Sequence, residues 1–184
     1  MAKDRSWRGK VFIGTSVDGF IARQNDDIDW LVSRGELAGD YGYDEFIAGI
    51  DAYLIGRATY DLTGSFPEWP YGAGPVLVLS RTLVSDDQRI TIVRSLNEAT
   101  EFLEGRANGV YIDGGRTIQE SLRAGLVDEL IISRVPVLIG SGKPLFGIIP
   151  ADIDLELVSN RDFPGGMTQT HYRVRPAMDD AYLA

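Results

Sequence analysis

Short apolar runs recur along the chain, each closed by a polar or glycine-bearing turn: residues 10–16, 52–55, 75–79, 89–93, 110–112 and 130–139. Val, Ile, Leu and Tyr dominate these runs, the composition expected of strands. The run at 75–79 is apolar throughout rather than alternating, as in an interior strand of a parallel sheet covered on both faces. Between the runs the apolar period lengthens to that of a helix. Phe46, Ile47 and Ile50 share one side of 43–50; Ala99, Phe102 and Leu103 do so in 96–105, with Ser95 as a cap; Ile118, Leu122 and Leu126 follow from Thr117. Residues 29–42 carry no clear pattern. Residues 61–74 form a Gly- and Pro-rich loop whose Phe66, Trp69 and Tyr71 suit either a substrate wall or a cover for the core. Pro136 interrupts the run 130–139, which predicts a bulge or bend near a sheet edge. Segments 154–160 and 168–175 alternate and are joined through Asp162-Phe-Pro-Gly-Gly166, which predicts an antiparallel pair. Strand and helix otherwise take turns, so the expected class is α/β: a mainly parallel central sheet with an antiparallel C-terminal edge hairpin.

Composition narrows the function more than the fold. At 184 residues, with no repeat or linker, a single domain over 1–184 is expected, with 1–9 and 177–184 as loose termini and Trp7 docking the first. No run of about 18 apolar residues and no basic-then-apolar start is present, so a cytoplasmic protein without a membrane span is expected. With Cys 0 and His 1, a thiolate or histidine-built metal site and a histidine-based triad are excluded on ligand count, so no metal is expected. A net charge of −9 argues against nucleic-acid binding. Any anionic ligand must be gripped locally.

Local grips are present where strands end. Residues 110–125 run from a strand through Gly114-Gly115-Arg116-Thr117 into a helix, so that free backbone N–H groups and the positive end of the helix dipole face whatever lies there. Gly56-Arg57-Ala58-Thr59 and Leu79-Ser80-Arg81-Thr82 repeat the theme with glycine, hydroxyl and guanidinium. Ligands of open α/β sheets bind beyond the carboxyl ends of the strands, so the three turns share one crevice and describe a dinucleotide site. Arg57, Arg81 and Arg94 suit the extra phosphate that distinguishes NADP from NAD.

In these residues the chain resembles the dihydrofolate reductase-like fold and, within it, the reductase domain of riboflavin biosynthesis and its stand-alone relatives. The markers stand in order over residues 10–175: Ser16-Val-Asp-Gly-Phe-Ile-Ala22, Asp29-Trp30-Leu31, Gly56-Arg57-Ala58-Thr59-Tyr60, Ser80-Arg81-Thr82, Gly114-Gly115, Gly125-Leu-Val-Asp-Glu129, and Pro136-Val-Leu-Ile-Gly140 with Pro144-Leu-Phe146. The resemblance implies a three-layer fold and NADPH as cofactor. Gly56, Arg57, Ala58 and Thr59 would take its pyrophosphate and 2′-phosphate side, Ser80 and Arg81 the 2′-phosphate with Arg94 nearby, and Gly114, Gly115, Arg116, Thr117 and Ile118 the pyrophosphate, with Leu79 and Ile112 also at the cofactor. Gly14, Ile21 and Ala22 would line the nicotinamide under a closing loop at 17–27, and Trp30, Phe46 and Ser133 would face the substrate. The implied reaction is hydride transfer to a C=N-type carbon of a pyrimidine or pteridine-like substrate, first of all 5-amino-6-(5-phosphoribosylamino)uracil. Dihydrofolate reduction and non-catalytic NADPH binding are the alternatives, and an unliganded interaction domain a further one.

Two departures matter. The helix carboxylate that holds the pterin in dihydrofolate reductases has no clear match, leaving Asp29, Asp40, Asp44 and Glu45, with Asp29 and Asp44 foremost, as candidate acids. The ligands and His-x-Glu signature of the zinc deaminase fused to the reductase in many bacteria have no match in these residues, so the reductase half alone is expected here. A ribosyl-phosphate substrate would need a cationic clamp, for which Arg34, Arg116 and Lys143 are candidates. Relatives of this kind pair, and a homodimer through strand 130–139 is expected.

Overall fold

The computed structural model describes residues 5–175. In chain order the elements are β1 (Arg8–Ser16), β2 (Phe20–Ala22), α1 (Asp29–Ala38), α2 (Tyr43–Ala48), β3 (Ala52–Gly56), α3 (Arg57–Thr63), β4 (Val76–Leu79), β5 (Ile90–Val93) and α4 (Leu96–Leu103). They continue with β6 (Gly109–Asp113), α5 (Gly115–Arg123), β7 (Glu129–Val135), β8 (Lys143–Pro144), β9 (Leu155–Asp162), a 3₁₀ turn at Pro164–Gly166 and β10 (Thr168–Val174). Eight strands form one sheet in the order β5-β4-β3-β6-β1-β7-β10-β9. All neighbours from β5 to β7 are parallel, and β10 runs antiparallel to both β7 and β9. The α/β class, the parallel centre and the antiparallel C-terminal edge therefore match the expectation.

Alternation along the strands sorts the core into two faces. Val11, Leu54, Leu77, Val110, Ile112 and Leu130 point to the face covered by Ala99 and Leu103 of α4 and Ile118 and Leu122 of α5. Phe12, Tyr53, Ile55, Val76, Val78 and Tyr111 point to the other, where Phe46 of α2 and Tyr60 of α3 meet them. Trp30 and Ala38 of α1 pack with Val135 and Met167 on that side. The result is helix, sheet and helix in three layers, and the central parallel strands β3, β4 and β6 are buried on both faces. Among the described residues no helix is long and apolar enough to cross a membrane.

Three local expectations change. Residues 5–9 are fixed rather than loose: the Trp7 side chain is fully buried, its indole lies under the Arg5 guanidinium at 4.7 Å, and Arg5 is ion-paired with Asp128. Residues 1–4 and 177–184 lie outside the described residues. The featureless stretch 29–42 contains α1, a helix whose exposed Val32 and Leu37 and internal Gly35 blur its amphipathic pattern. The run 130–139 neither bulges nor lies at the sheet edge, but it does bend, at Pro136. β7 stops at Val135, because Pro136 offers no N–H to the ladder, and the Val137 N–H turns back to the Val135 carbonyl at 2.8 Å. With β1 on one side of it and β10 on the other, β7 has no free edge for a second copy.

The loop at 17–27 is pinned on both sides. Ser16 Oγ accepts the Phe20 N–H at 3.0 Å, Asp18 accepts the Gly140 N–H at 2.8 Å, and β2 pairs antiparallel with β8. Lys143 closes an ion pair with Asp26. In the loop 61–74, Tyr71 is buried against Tyr53 with ring centroids 4.9 Å apart, and Trp69 packs edge-on to Tyr71. That loop is mainly a cover for the core, with Phe66 alone of its aromatics reaching the cleft.

Candidate active site

A cleft of about 1,780 Å³ opens where the sheet's parallel strands end. It is larger than the roughly 300–1,000 Å³ of a typical small-ligand pocket, and it has two arms. One is built from the turns after β3, β4, β5 and β6; the other lies over β1 and β7 beneath α1 and the Tyr41–Tyr43 connection.

In the first arm the turns after β3 and β6 interlock. A Cβ on Gly114 would lie 2.5 Å from Thr59 Oγ1, and one on Gly56 would lie 2.7 Å from Thr117 Oγ1. Gly114 also sits at φ 93°, a conformation that L side chains rarely adopt. The two glycines thus let the turns close on each other and leave their backbones bare. α5 starts at Gly115, directly after the turn rather than at Thr117, and no side chain caps it. Its first N–H groups and the positive end of its dipole face the cleft, a ready anion site. Next to it, Ser80 Oγ accepts the Leu83 N–H at 3.1 Å, which fixes the turn bearing Arg81. Arg94 Nη1 donates to the Ser80 and Leu83 carbonyls at 2.7 and 2.8 Å, so part of this guanidinium shapes that turn. Arg57 is tied to Asp61 one helical turn on, at 2.7 Å.

Most of the expected cofactor residues meet here: Gly14, Ile21, Ala22, Gly56, Arg57, Ala58, Thr59, Leu79, Ser80, Arg81, Arg94, Gly114, Gly115, Arg116 and Thr117 all line the cleft. Ile112 and Ile118 do not. Both are fully buried on the opposite face, between the sheet and α4 and α5, because strand alternation turns Ile112 away from the cleft.

The second arm is aromatic. Phe12, Tyr41, Tyr43 and Tyr111 line it together with Leu31 and Met167. Phe12 stacks on Tyr41 at 5.7 Å and meets Tyr43 edge-on at 5.6 Å. Ser133, as expected, points into it and is buried; its Oγ accepts from Gln169 Nε2 at 2.9 Å, which leaves the hydroxyl hydrogen for a ligand. Trp30 and Phe46 stand one layer back. Trp30 is buried in the α1 cluster, and Phe46 backs the arm through Phe12 at 4.9 Å and Tyr111 at 5.0 Å.

Neither foremost candidate acid reaches the cleft. Asp29, in the first turn of α1, is exposed and bonded to Arg23 Nε at 3.0 Å; that bond and the Trp30 N–H hold its carboxyl below the usual range. An ionised helix-start carboxylate is a poor proton donor. Asp44 is an exposed first-turn residue of α2.

Of the acids that line the cleft, Asp26 is paired with Lys143 and Asp61 with Arg57, Glu120 is exposed on α5, and Asp113, the last residue of β6, sits at the junction of the two arms. Burial pushes its carboxyl up to about 6, against the pull of the Gly114 N–H, which donates to Oδ1 at 2.7 Å. Burial and neighbouring charges, Asp113 among them, push Tyr43 up to about 12 and Tyr111 well above its ordinary value, so both phenols stay protonated. A cleft carboxyl that gains and loses a proton near neutrality has the make-up of a general acid. Its signal in the sequence was its place: a polar residue ending an apolar strand, on the Tyr111 side and immediately before Gly114-Gly115.

Residues 10–168 match the sequence profile of the RibD C-terminal domain. The chain belongs to that family. The RibD-type chain is 30% identical over 167 residues to the uncharacterized protein YwjB of Bacillus subtilis (strain 168), covering 88% of this chain and 95% of YwjB. A Shewanella sp. PV-4 protein assigned to riboflavin biosynthesis superposes with a TM-score of 0.84 at 35% identity, over 92% of this chain and 99% of that one. Dihydrofolate reductase from Enterococcus faecalis, solved with NADP(H), shares the fold at a TM-score of 0.68 and 16% identity, over 94% and 98% of the two chains. The dihydrofolate reductase-like architecture is thus shared beyond the RibD family, and within the family the chain is of the reductase type.

Proposed function

We propose that this RibD-type chain is a cytoplasmic NADPH-dependent reductase that transfers hydride to a C=N-type carbon of a pyrimidine or pteridine-like substrate. The observation that carries the reading is the pair of interlocked turns, Gly56–Thr59 and Gly114–Thr117, with the uncapped start of α5 behind them and Arg81 at one end. This cradle would be filled by a single Cβ, and its donors fit a pyrophosphate with a further phosphate near Arg81.

When bound, NADPH supplies the hydride, and the chain supplies position and a proton. Gly14 and Ala22 border the junction of the two arms and keep it narrow, with Leu31 packed so closely over Gly14 that a Cβ there would lie 2.5 Å from Cδ1. Hydride addition breaks the C=N π bond and leaves the electron pair on nitrogen; the Asp113 carboxyl donates the proton that makes the amine, and water restores it. The protonated Tyr43 phenol and the Ser133 hydroxyl orient the ring through its acceptors. Asp29 of α1 is exposed and held by Arg23 rather than turned to the cleft, and 5-amino-6-(5-phosphoribosylamino)uracil is the first substrate reading, with dihydrofolate as the alternative.

Two copies acting as a homodimer form part of the same reading. β9 ends the sheet, and its Leu157 is 60% exposed, with Leu155 and Val158 also open to solvent. The test of the central claim is a thermal-shift titration with NADPH and NADH, since a ligand bound only by the folded state raises stability with the logarithm of its concentration over Kd. A shift with NADPH that Arg81→Ala reduces toward the size seen with NADH is expected; none with either dinucleotide defeats the reading.

A further inference from the structure

Gln169 of β10 is buried, and it ties three parts of the substrate arm together. Register places it in one row across the sheet: Gly14 of β1 lies opposite Ser133 of β7, Ser133 opposite Gln169, and Gln169 opposite Arg161 of β9. Directly opposed residues of an antiparallel pair share a face and stand within side-chain reach. The amide Nε2 of Gln169 donates to Ser133 Oγ at 2.9 Å and to the Tyr41 carbonyl at 3.0 Å.

The Tyr41 carbonyl decides which way that amide points. A carbonyl oxygen only accepts, so the end of the side chain that meets it is the NH2 group, and the second N–H of that group is the one that reaches Ser133. The acceptor end lies on the side of a cation: Gln169 Oε1 and Arg161 Nη1 each come 4.0 Å from where a Cβ on Gly42 would stand. The same amide braces the aromatic wall. Asp40 Oδ1 accepts the Gly42 and Tyr43 N–H groups at 3.0 Å each, and Gln169 fastens the Tyr41–Tyr43 connection to the sheet.

Ser133 is thereby left with one open role. Its oxygen accepts from Gln169, and among the described residues no group accepts its hydrogen. Gly14 beside it has no side chain, and Leu31 covers that glycine with methyl groups. A buried hydroxyl held in this way discriminates by polarity. A ligand atom with a lone pair completes the missing bond. An N–H in the same place reaches the second lone pair only by turning the hydroxyl hydrogen into apolar surroundings, unpaired, which costs about tenfold or more in affinity.

We propose that Gln169 is a positioning residue that fixes Ser133 as a hydrogen-bond donor, so that the arm selects substrates presenting a carbonyl oxygen or an unprotonated ring nitrogen to Ser133 and rejects those with an N–H there. This rests on the reductase reading and deepens it: Gln169 decides which edge of the substrate faces β7.

The test is a double-mutant cycle with 5-amino-6-(5-phosphoribosylamino)uracil as the probe, whose uracil carbonyls supply the acceptor. Its affinity is read as the melting shift it adds to protein saturated with NADP⁺, and its turnover as NADPH oxidation at 340 nm. Gln169→Glu keeps the size of the side chain, but its carboxylate takes the Ser133 hydrogen instead of donating to the oxygen. Alone, Gln169→Glu and Ser133→Ala should each weaken binding about tenfold or more, in KM rather than kcat. In the Ser133→Ala background Gln169→Glu should cost less than about threefold more, because no hydroxyl remains to orient. Where Gln169→Glu fails to fold, Gln169→Met, which removes the donors and keeps the bulk, takes its place in the cycle. Equal losses in both backgrounds overturn the proposal and make Gln169 a brace for the Tyr41 wall alone. Wild-type protein that neither binds nor reduces the probe, while NADPH still raises its melting temperature, also overturns it and leaves the cofactor arm standing. Absence of that NADPH shift removes the reductase reading itself.

Discussion

Replacing Asp113 by Asn should make the protein more stable and less active at once. The ordinary carboxyl value of 3.8 rises to about 6 in the folded chain because the group is buried, with the Gly114 N–H opposing. A folded carboxyl that holds its proton more tightly than the unfolded one contributes stability that is fully present below about 3.8. That contribution is lost as pH rises through about 6. The interval is worth roughly 3 kcal/mol at about 1.4 kcal/mol per pH unit. Asparagine cannot ionise, so it escapes this loss. Urea unfolding of both proteins should give nearly equal stability at pH 4 and an advantage for Asp113→Asn of up to about 3 kcal/mol at pH 7.5. In a chain of this size that is about 6–12 °C in melting temperature. If Asp113 donates the proton, the same variant loses about 10²- to 10⁴-fold in kcat, and wild-type kcat falls above pH 6 while the variant's residual rate stays flat. A stability difference that does not change with pH refutes the burial argument; an undiminished kcat refutes the acid.

Other perturbations address separate parts of the structure. Gly114→Ala forces a Cβ to within 2.5 Å of Thr59 Oγ1 at φ 93°, so the NADPH-induced thermal shift should fall by most of its size. Arg81→Ala should reduce NADPH affinity about tenfold or more and leave NADH affinity nearly unchanged in equilibrium titration, because the removed guanidinium serves the extra phosphate. Trp7→Ala empties a fully buried site and should cost about 3–5 kcal/mol in urea unfolding; a loss under 1 kcal/mol would return residues 5–9 to the status of a loose start. Leu157→Glu, on the outermost strand, should convert a dimer to monomer in sedimentation velocity without moving kcat; an unchanged sedimentation coefficient places any pairing elsewhere.

The cofactor arm was the legible half of the site because each of its turns is continuous in sequence. Glycine, hydroxyl and guanidinium stand next to one another in Gly56-Arg57-Ala58-Thr59 and again in Gly114-Gly115-Arg116-Thr117, so short-range pattern and chemistry coincide. The parallel strands were legible for a related reason, since burial on both faces leaves runs such as Val76–Leu79 wholly apolar. What escaped was set by long-range packing. α1 has no side-chain cap and exposes Val32 and Leu37, and it is held by Trp30 and Ala38 meeting Val135 and Met167 from the far end of the chain. The fate of strand 130–139 was decided by one missing N–H, which ended β7 at Pro136 and let the chain turn toward β8.

The substrate arm draws Phe12 from β1, Tyr41 and Tyr43 from the α1–α2 connection, Tyr111 and Asp113 from β6, and Ser133 from β7, so no window of ten residues contains its chemistry. Register brings them together: Gly14 lies opposite Ser133 across β1 and β7, Lys10 lies opposite Tyr111 across β1 and β6, and the period of two carries each strand's alternate residues to the same face. Counting back by twos from the Gly114 turn therefore separates the residues that sequence reasoning had grouped. Ile112 belongs with Val110 in the core, and Asp113 with Tyr111 in the cleft. The acid was hidden not by a weak signal but by proximity to a stronger one, because Gly114-Gly115 drew attention to phosphate binding one residue past the carboxyl. Alternation along β6 turns Asp113 to the cleft beside Tyr111, and burial there raises its carboxyl toward neutrality, so the same strand end that presents the glycines to an anion also presents an acid to the cleft.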